Sequence, residues 1–417
     1  MLIRLAGRIA VWQVAVAAFA LAAGAGATWA MIAAGTLLGI TAIRVRGRWI
    51  DRWFMIFMRY RGRARVRRAP CALGVVAPRL TTHEYRDPAG TVAGVLTDGP
   101  HWTVVLRLDG VDPAVNPVGA PYAVERMAHA ERLIGVLQSA VDPAGEVRAP
   151  AVQLVRWAVP MPVDPEKPAG RGTGAPAPAW NVHWIAVRGQ APDATGRAGF
   201  ANDAGFADAD DAALKASPAA ALRLAAILAA QGFAVRPLRE AELSDELASS
   251  LGAAPAGGAV TAREGWWSLS LGRLHHATYR LTRPMRDPAR LARALSWLAG
   301  PPALSTCASL LFTAPAGTSG NGIPAPAAAV VGTSIAASAN AAAPSAAAAE
   351  ARAVRRGARQ DIAEVMVTLR IAVPAGRSRR EVRGALRLAL GPMVPHTRSM
   401  NGEHATGTLA TIPLGRR

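Results

Sequence analysis

The chain opens on an apolar run with no charged residue, from Ile9 to Ile43, and its polarity changes abruptly at Arg44. A membrane span needs about 20 apolar residues, so this run is long enough for two short spans. They are expected near 8–24 and 27–44, turning at Gly24-Ala25-Gly26-Ala27. A cleavable signal peptide ending at Ala17-Ala18-Phe19-Ala20 or Ala22-Ala23-Gly24 is the alternative. The second apolar stretch follows at once and favours the hairpin. Residues 1–46 are therefore expected to form a two-helix transmembrane hairpin.

Residues 48–60 change to helical spacing. Arg48, Asp51, Arg52 and Arg59 gather on one side, and Trp49, Ile50, Trp53, Phe54, Ile56, Phe57 and Tyr60 make a broad apolar face. A basic amphipathic helix with tryptophans suits a membrane surface or a groove beside the spans. Packing of that face on the protein's own soluble domain is the competing reading. Segment 47–69 is thus a basic juxtamembrane element, and Arg46, Arg48, Trp49, Arg52, Trp53, Phe57, Arg59 and Tyr60 are its candidate lipid or partner contacts.

From residue 70 onward the pattern alternates between period two and period 3.6. Strands are expected at Thr91–Thr97, Trp102–Leu108, Val152–Val159, Val182–Arg188, Phe233–Arg236, Trp266–Leu271, His276–Leu281, Ala303–Phe312 and Ile362–Val373. Helices are expected at Pro121–Gln138, Asp211–Gln231 (ended by Gly232) and Arg239–Leu251. Another is capped by Asp287, and a last one opens with the Ser378/Glu381 capping-box pair. Strand-strand-helix-strand recurs at 91–159 and 266–312, which raises the reading of two related halves. The expected class is α+β or α/β, with a mixed sheet covered by helices. Residues 314–350 are almost wholly Ala, Gly, Pro, Ser, Thr and Asn, too poor in large apolar groups to form a core, and read as a disordered insertion.

Charge then fixes an orientation. Arg4 and Arg8 precede the first span, and ten arginines between Arg44 and Arg68 follow the second against one acid, Asp51. Arginines are held on the cytoplasmic side against anionic headgroups, which puts both termini and residues 70–417 in the cytoplasm. The net charge of +19 rests on 47 basic residues, of which only Lys167 and Lys215 are lysine. That arginine bias reads as composition rather than selection for a polyanion, and no nucleic-acid signature accompanies it. Two cysteines, Cys71 and Cys307, fit a reducing compartment.

The catalytic inventory is thin. His275 and His276 are adjacent on a strand and point to opposite faces, so they do not jointly grip a metal. HExxH fails at His83-Glu84, because the place of the second histidine is Asp87. Asp208, Asp210 and Asp211 suit a helix start better than a cation. There is no GxxxxGK[ST] and no GxSxG elbow. No cofactor and no metal is expected, and a non-catalytic domain is favoured. A membrane-bound, transferase-like enzyme at the cytoplasmic face is the alternative.

Several landmarks follow in order: Arg46-Gly47-Arg48-Trp49 with Trp53, Arg59-Tyr60 and the arginines through Arg68, then Trp184, Gly232-Phe233, Pro237-Leu238, Trp266 and His276-Ala277-Thr278-Tyr279. In that order they resemble the EccE family of type VII (ESX) secretion systems. The resemblance spans roughly 8–310. It implies a structural subunit of an inner-membrane secretion core, beside EccB-, EccC- and EccD-like subunits and a mycosin protease, supporting export of small helical substrates. It carries over no catalytic residues, since the ATPase activity belongs to EccC.

Overall fold

In a computed structural model, the described residues are 44–45, 48–62, 66–98, 101–109, 120–142, 147, 149–160, 179–190, 206–252, 259–282, 285–296, 304–313, 364–377, 380, 381, 384 and 396–414, with scattered positions between 13 and 32. The insertion expected at 314–350 lies outside them, as does most of the helix expected after Ser378. The chain divides into two compact units, 1–65 with 401–403 and 66–400 with 404–417.

In the first unit, β1 (Arg44–Val45) pairs antiparallel with β2 (Arg48–Trp49), and α1 (Ile50–Gly62) follows directly. The described positions between 13 and 32 are all helical, Gly24 included; residues 25–27, the rest of the expected turn, lie outside the described set. Most of the expected hairpin lies outside it too. Among the described residues no helix is long and apolar enough to cross a membrane.

The second unit is built on one large sheet. Its strands are β3 (Val66–Ala69), β4 (Thr81–Arg86), β5 (Val92–Asp98), β6 (His101–Asp109), β7 (Ala151–Pro160), β8 (Ala179–Gln190), β9 (Ala234–Pro237), β10 (Val260–Glu264), β11 (Leu269–Leu271), β12 (Leu274–Leu281), β13 (Ser305–Thr313), β14 (Glu364–Pro374) and β15 (Thr397–Ser399). The order is β3-β10-β11-β12-β14-β13-β7-β8-β6-β5-β4, with β9 pairing β6 and β15 pairing β12. The helices are α2 (Ala72–Val76), α3 (Ala120–Ala140), α4 (Phe206–Ala230), α5 (Glu240–Ser250), α6 (Pro288–Ser296) and α7 (His404–Leu409).

Every described pairing is antiparallel, which corrects the mixed sheet and the α/β alternative; the class is α+β. The reason lies in the strand insertions. Helices α3 and α6 do cross over between strands that run the same way, β6 to β7 and β12 to β13. In each case the next strand, β8 or β14, slots between the pair and converts it into two antiparallel contacts. The winding β5-β6-α3-β7-β8 is repeated as β11-β12-α6-β13-β14, and the two runs meet where β7 pairs β13.

Alternation along the strands gives the sheet two buried faces. Leu106, Leu154, Ile185, Leu310 and Leu369 point to one face, under Ile134 and Leu137 of α3, Leu224 and Leu228 of α4 and Leu291 of α6. Val105, Val155, Trp184 and Cys307 point to the other, under Val75 of α2, Leu243 and Leu247 of α5, and Ile412 and Leu414 of the final segment. Asp287 caps α6 as expected, its Oδ1 accepting from Ala289 N–H at 3.0 Å. Gly232 ends α4 at a φ of +83°, where a side chain would be strained.

Candidate membrane and partner interface

Helix α1 holds most of the predicted contact residues. Ile56 is buried and Trp53 and Tyr60 are half-buried, a stripe at i, i+3 and i+7. On the remaining surface Phe54 (61 % exposed), Met55, Phe57 and Met58 (52 %) stand together in solvent. Arg52 and Arg59 are exposed beside them. Arg59 and Arg61 occupy the last turn, where cations complement the helix dipole, and the Arg61 guanidinium lies 5.8 Å from the Phe57 ring centroid. The apolar surface is thus rotated from the one read in the sequence: Ile56 turns in, while Met55 and Met58 join Phe54 and Phe57. Arg46 and the side chains of Arg48 and Trp49 lie outside the description.

The chemistry-bearing residues of the second unit are absorbed into its architecture. Exposed Cys71 caps α2, its Sγ accepting from Gly74 N–H at 3.3 Å. His83 and Glu84 are exposed on β4, at one end of the sheet. His275 approaches Ser270 Oγ through Nδ1 at 3.2 Å, while His276 is fully buried on the opposite face. Asp208, Asp210 and Asp211 fall in the opening turns of α4, which begins at Phe206 and not at Asp211. Among the described residues no group of three or more His, Cys, Asp or Glu is placed to hold a metal ion.

The second face carries a buried polar row that the sequence did not reveal. Arg370 is 1 % exposed and donates from one guanidinium nitrogen to Ser250 O at 2.7 Å, while Nη1 has no hydrogen-bond partner among the described residues. Its cross-strand neighbour Cys307 donates Sγ–H to Thr411 O at 2.9 Å. Burial pushes that thiol up to about 11, against the opposing pull of Arg370, so it is a poor nucleophile. Gln153 Nε2 donates to Ser309 Oγ (2.7 Å) and Ala410 O (2.9 Å).

His404 Nδ1 takes the Thr278 N–H at 3.2 Å. That nitrogen is therefore unprotonated and the ring neutral, and burial lowers its pKa to about 3 despite the favourable Trp266 backbone. Burial, then Arg370 and His275, hold His276 well below the usual imidazole range, and the nearby Leu251 backbone does not offset them.

A second cluster fastens α5 to the sheet. Glu246 accepts from Arg107 Nη1 and, through Oε2, from Trp184 Nε1 at 2.9 Å. Arg236 bridges Asp109 (3.1 Å) and Glu242 (2.8 Å). Glu242 also accepts the Arg239 N–H at 3.0 Å. That backbone bond, then Arg236, lowers the Glu242 pKa. The i, i+4 spacing of Glu242 and Glu246 was the available signal, but Glu246 finds its partners Trp184 and Arg107 62 and 139 residues away.

These features define an α+β domain with a two-faced antiparallel sheet, joined to a basic helix that exposes apolar side chains. Residues 177–281 match the family described as EccE, putative type VII ESX secretion system translocon. The likeness to EccE is thus shown over the segment from β8 to β12, which holds Trp184, Gly232-Phe233, Pro237-Leu238, Trp266 and His276. No curated protein matches the chain.

Proposed function

We propose that this chain is a structural, non-catalytic subunit of a type VII (ESX) secretion complex in the inner membrane. The observation that carries the reading is the EccE-family match at 177–281, in a chain whose α1 leaves Phe54, Met55, Phe57 and Met58 exposed among arginines. Residues 1–46 serve as the two-span anchor, with both termini cytoplasmic; exposed Leu21, Trp29 and Ile32 suit a lipid-facing element. Arg46, Arg48, Trp49, Arg52, Trp53, Phe57, Arg59 and Tyr60 meet anionic headgroups or neighbouring membrane subunits. EccB-, EccC- and EccD-like proteins and a mycosin protease are the expected partners, and export of small helical substrates is the activity supported. The use of Cys71, Cys307, His275, His276 and His404 in packing and capping favours this reading over a transferase-like enzyme.

Affinity purification of the full chain in mild detergent tests the assignment. Recovery of a large complex containing an FtsK/SpoIIIE-like ATPase and a multispanning partner is expected. Recovery of the chain only as a monomer, under conditions that keep that ATPase and its partner together, would refute it.

A further inference from the structure

We propose that a corner of the sheet formed by β3 and the β10–β11 turn is a second membrane-contacting surface of this protein, specific for anionic lipid. The proposal rests on the reading of α1 as a membrane-surface helix and extends it through β3, the end of the 47–69 segment, to β10 and the β10–β11 turn.

The register places the corner. Val66 pairs with Arg263, and Arg68 with Thr261. Directly paired residues share a face, so Val66, Arg68, Thr261 and Arg263 project from one side of the sheet, and all four are exposed. Val66 is 53 % exposed, unusual for a β-branched apolar residue on a strand. Just beyond Arg263 the chain reverses at Gly265, whose N–H donates to Ser268 O at 2.8 Å. The tip of that turn is Trp266-Trp267, two rings in edge-to-face contact at 6.4 Å, with Trp267 41 % exposed.

The tip therefore lies at the same end of β3 as Val66, the first residue of that strand. The only acid in β3, β10, β11 and the turn is Glu264. It is buried on the other face, where Oε1 accepts the Ala405 N–H at 3.1 Å. Arginines without acids, an exposed tryptophan and an exposed valine are complementary to a negatively charged interface: indole partitions to the headgroup level, and each arginine near an anionic surface adds roughly fivefold to partitioning.

Lipid-quenching of the full chain in vesicles tests this. In a Cys71→Ser background, single cysteines replacing Trp267, Thr261, Phe57 or Glu84 are labelled with an environment-sensitive fluorophore. The vesicles contain phosphatidylglycerol with brominated acyl chains. Quenching is expected at 267, 261 and 57 but not at 84, which sits on β4 at the opposite end of the sheet. Adding Arg68→Glu and Arg263→Glu should abolish quenching at 267 and 261 and leave position 57 quenched.

Quenching at 57 but at neither 267 nor 261 would overturn the proposal and leave the reading of α1 intact. Absence of quenching at all three positions would overturn both. Equal quenching at 84, or quenching at 267 unaffected by the charge reversals, would also overturn the proposal.

Discussion

Acidification from pH 7.5 to pH 5 is expected to weaken the second unit sharply through three histidines, His276 and His404 buried and His183 half-buried. Burial lowers His183 and His404 to about 3, with Arg156 and His129 adding to the effect at His183, and His276 is held well below its ordinary value. In the unfolded chain each titrates near 6.5. Below that pH the unfolded state binds protons that the folded state refuses. Stability is therefore complete above the unfolded pKa and is lost as pH falls toward the folded one.

At pH 5 the unfolded-state pKa is about 1.5 units away, and at 1.36 kcal/mol per unit each histidine costs about 2 kcal/mol. Three together cost about 6 kcal/mol, a large share of the roughly 5–15 kcal/mol that holds a typical domain. The loss at pH 5 depends on the folded values only in that they lie well below 5. Urea titrations of the full chain at pH 7.5, 6 and 5 would follow the stacked Trp157–Trp184 pair, whose ring centroids are 6.0 Å apart. His404→Asn keeps an acceptor for the Thr278 N–H while removing the titration, and should flatten the dependence by about 2 kcal/mol. A wild-type stability that is level from pH 7.5 to 5, or a His404→Asn variant with the wild-type slope, would refute the reasoning.

Three substitutions test the packing. At Gly94 an added Cβ would meet the backbone of Arg239 and Glu240 at 2.9 Å, so Gly94→Ala should cost about 1–3 kcal/mol by urea unfolding; a neutral result would mean that the β9–α5 junction does not press on β5. Trp184→Phe removes the donor to Glu246 while keeping the ring, and should lower stability by about 1–2 kcal/mol, less in a Glu246→Gln background. Arg370→Met replaces a buried cation that has no carboxylate partner among the described residues, and should leave the urea midpoint unchanged or raised; a loss above about 3 kcal/mol would show that its bond to Ser250 O outweighs its desolvation.

Strands and helices with a buried face were legible because their periodicity is set by that burial. Trp102–Leu108 was read within β6 (His101–Asp109), Val152–Val159 within β7 (Ala151–Pro160), and Pro121–Gln138 within α3 (Ala120–Ala140). Elements stabilised by position were not legible. β4 (Thr-Thr-His-Glu-Tyr-Arg) lies at the sheet edge with polar residues outward, and β15 is only Thr-Arg-Ser. The expected strand Trp266–Leu271 gave way over 266–268 to a turn, because the Gly265 N–H bonds Ser268 O and only Leu269–Leu271 pairs on.

Helix α7, His-Ala-Thr-Gly-Thr-Leu, has poor intrinsic propensity, yet Gly407 lets it lie against β12. An added Cβ there would run into the Thr278 side chain and meet Met400 Sδ at 2.7 Å. The same nonlocality explains why a motif search could not find where the polar residues meet. Gln153, Cys307 and Thr103 come from three separate strands, and each donates to a backbone carbonyl of the final segment, at Ala410, Thr411 and Leu414. Each donor is thereby engaged in holding the chain's last described segment on the sheet, and Thr278 and His404 do the same for α7. A histidine, a thiol and an arginine close together suggest catalysis only while their protons and lone pairs are uncommitted. Here the His404 lone pair and the Cys307 thiol proton are engaged and Arg370 is buried, so these residues are better understood as fastening the last described segment to the sheet.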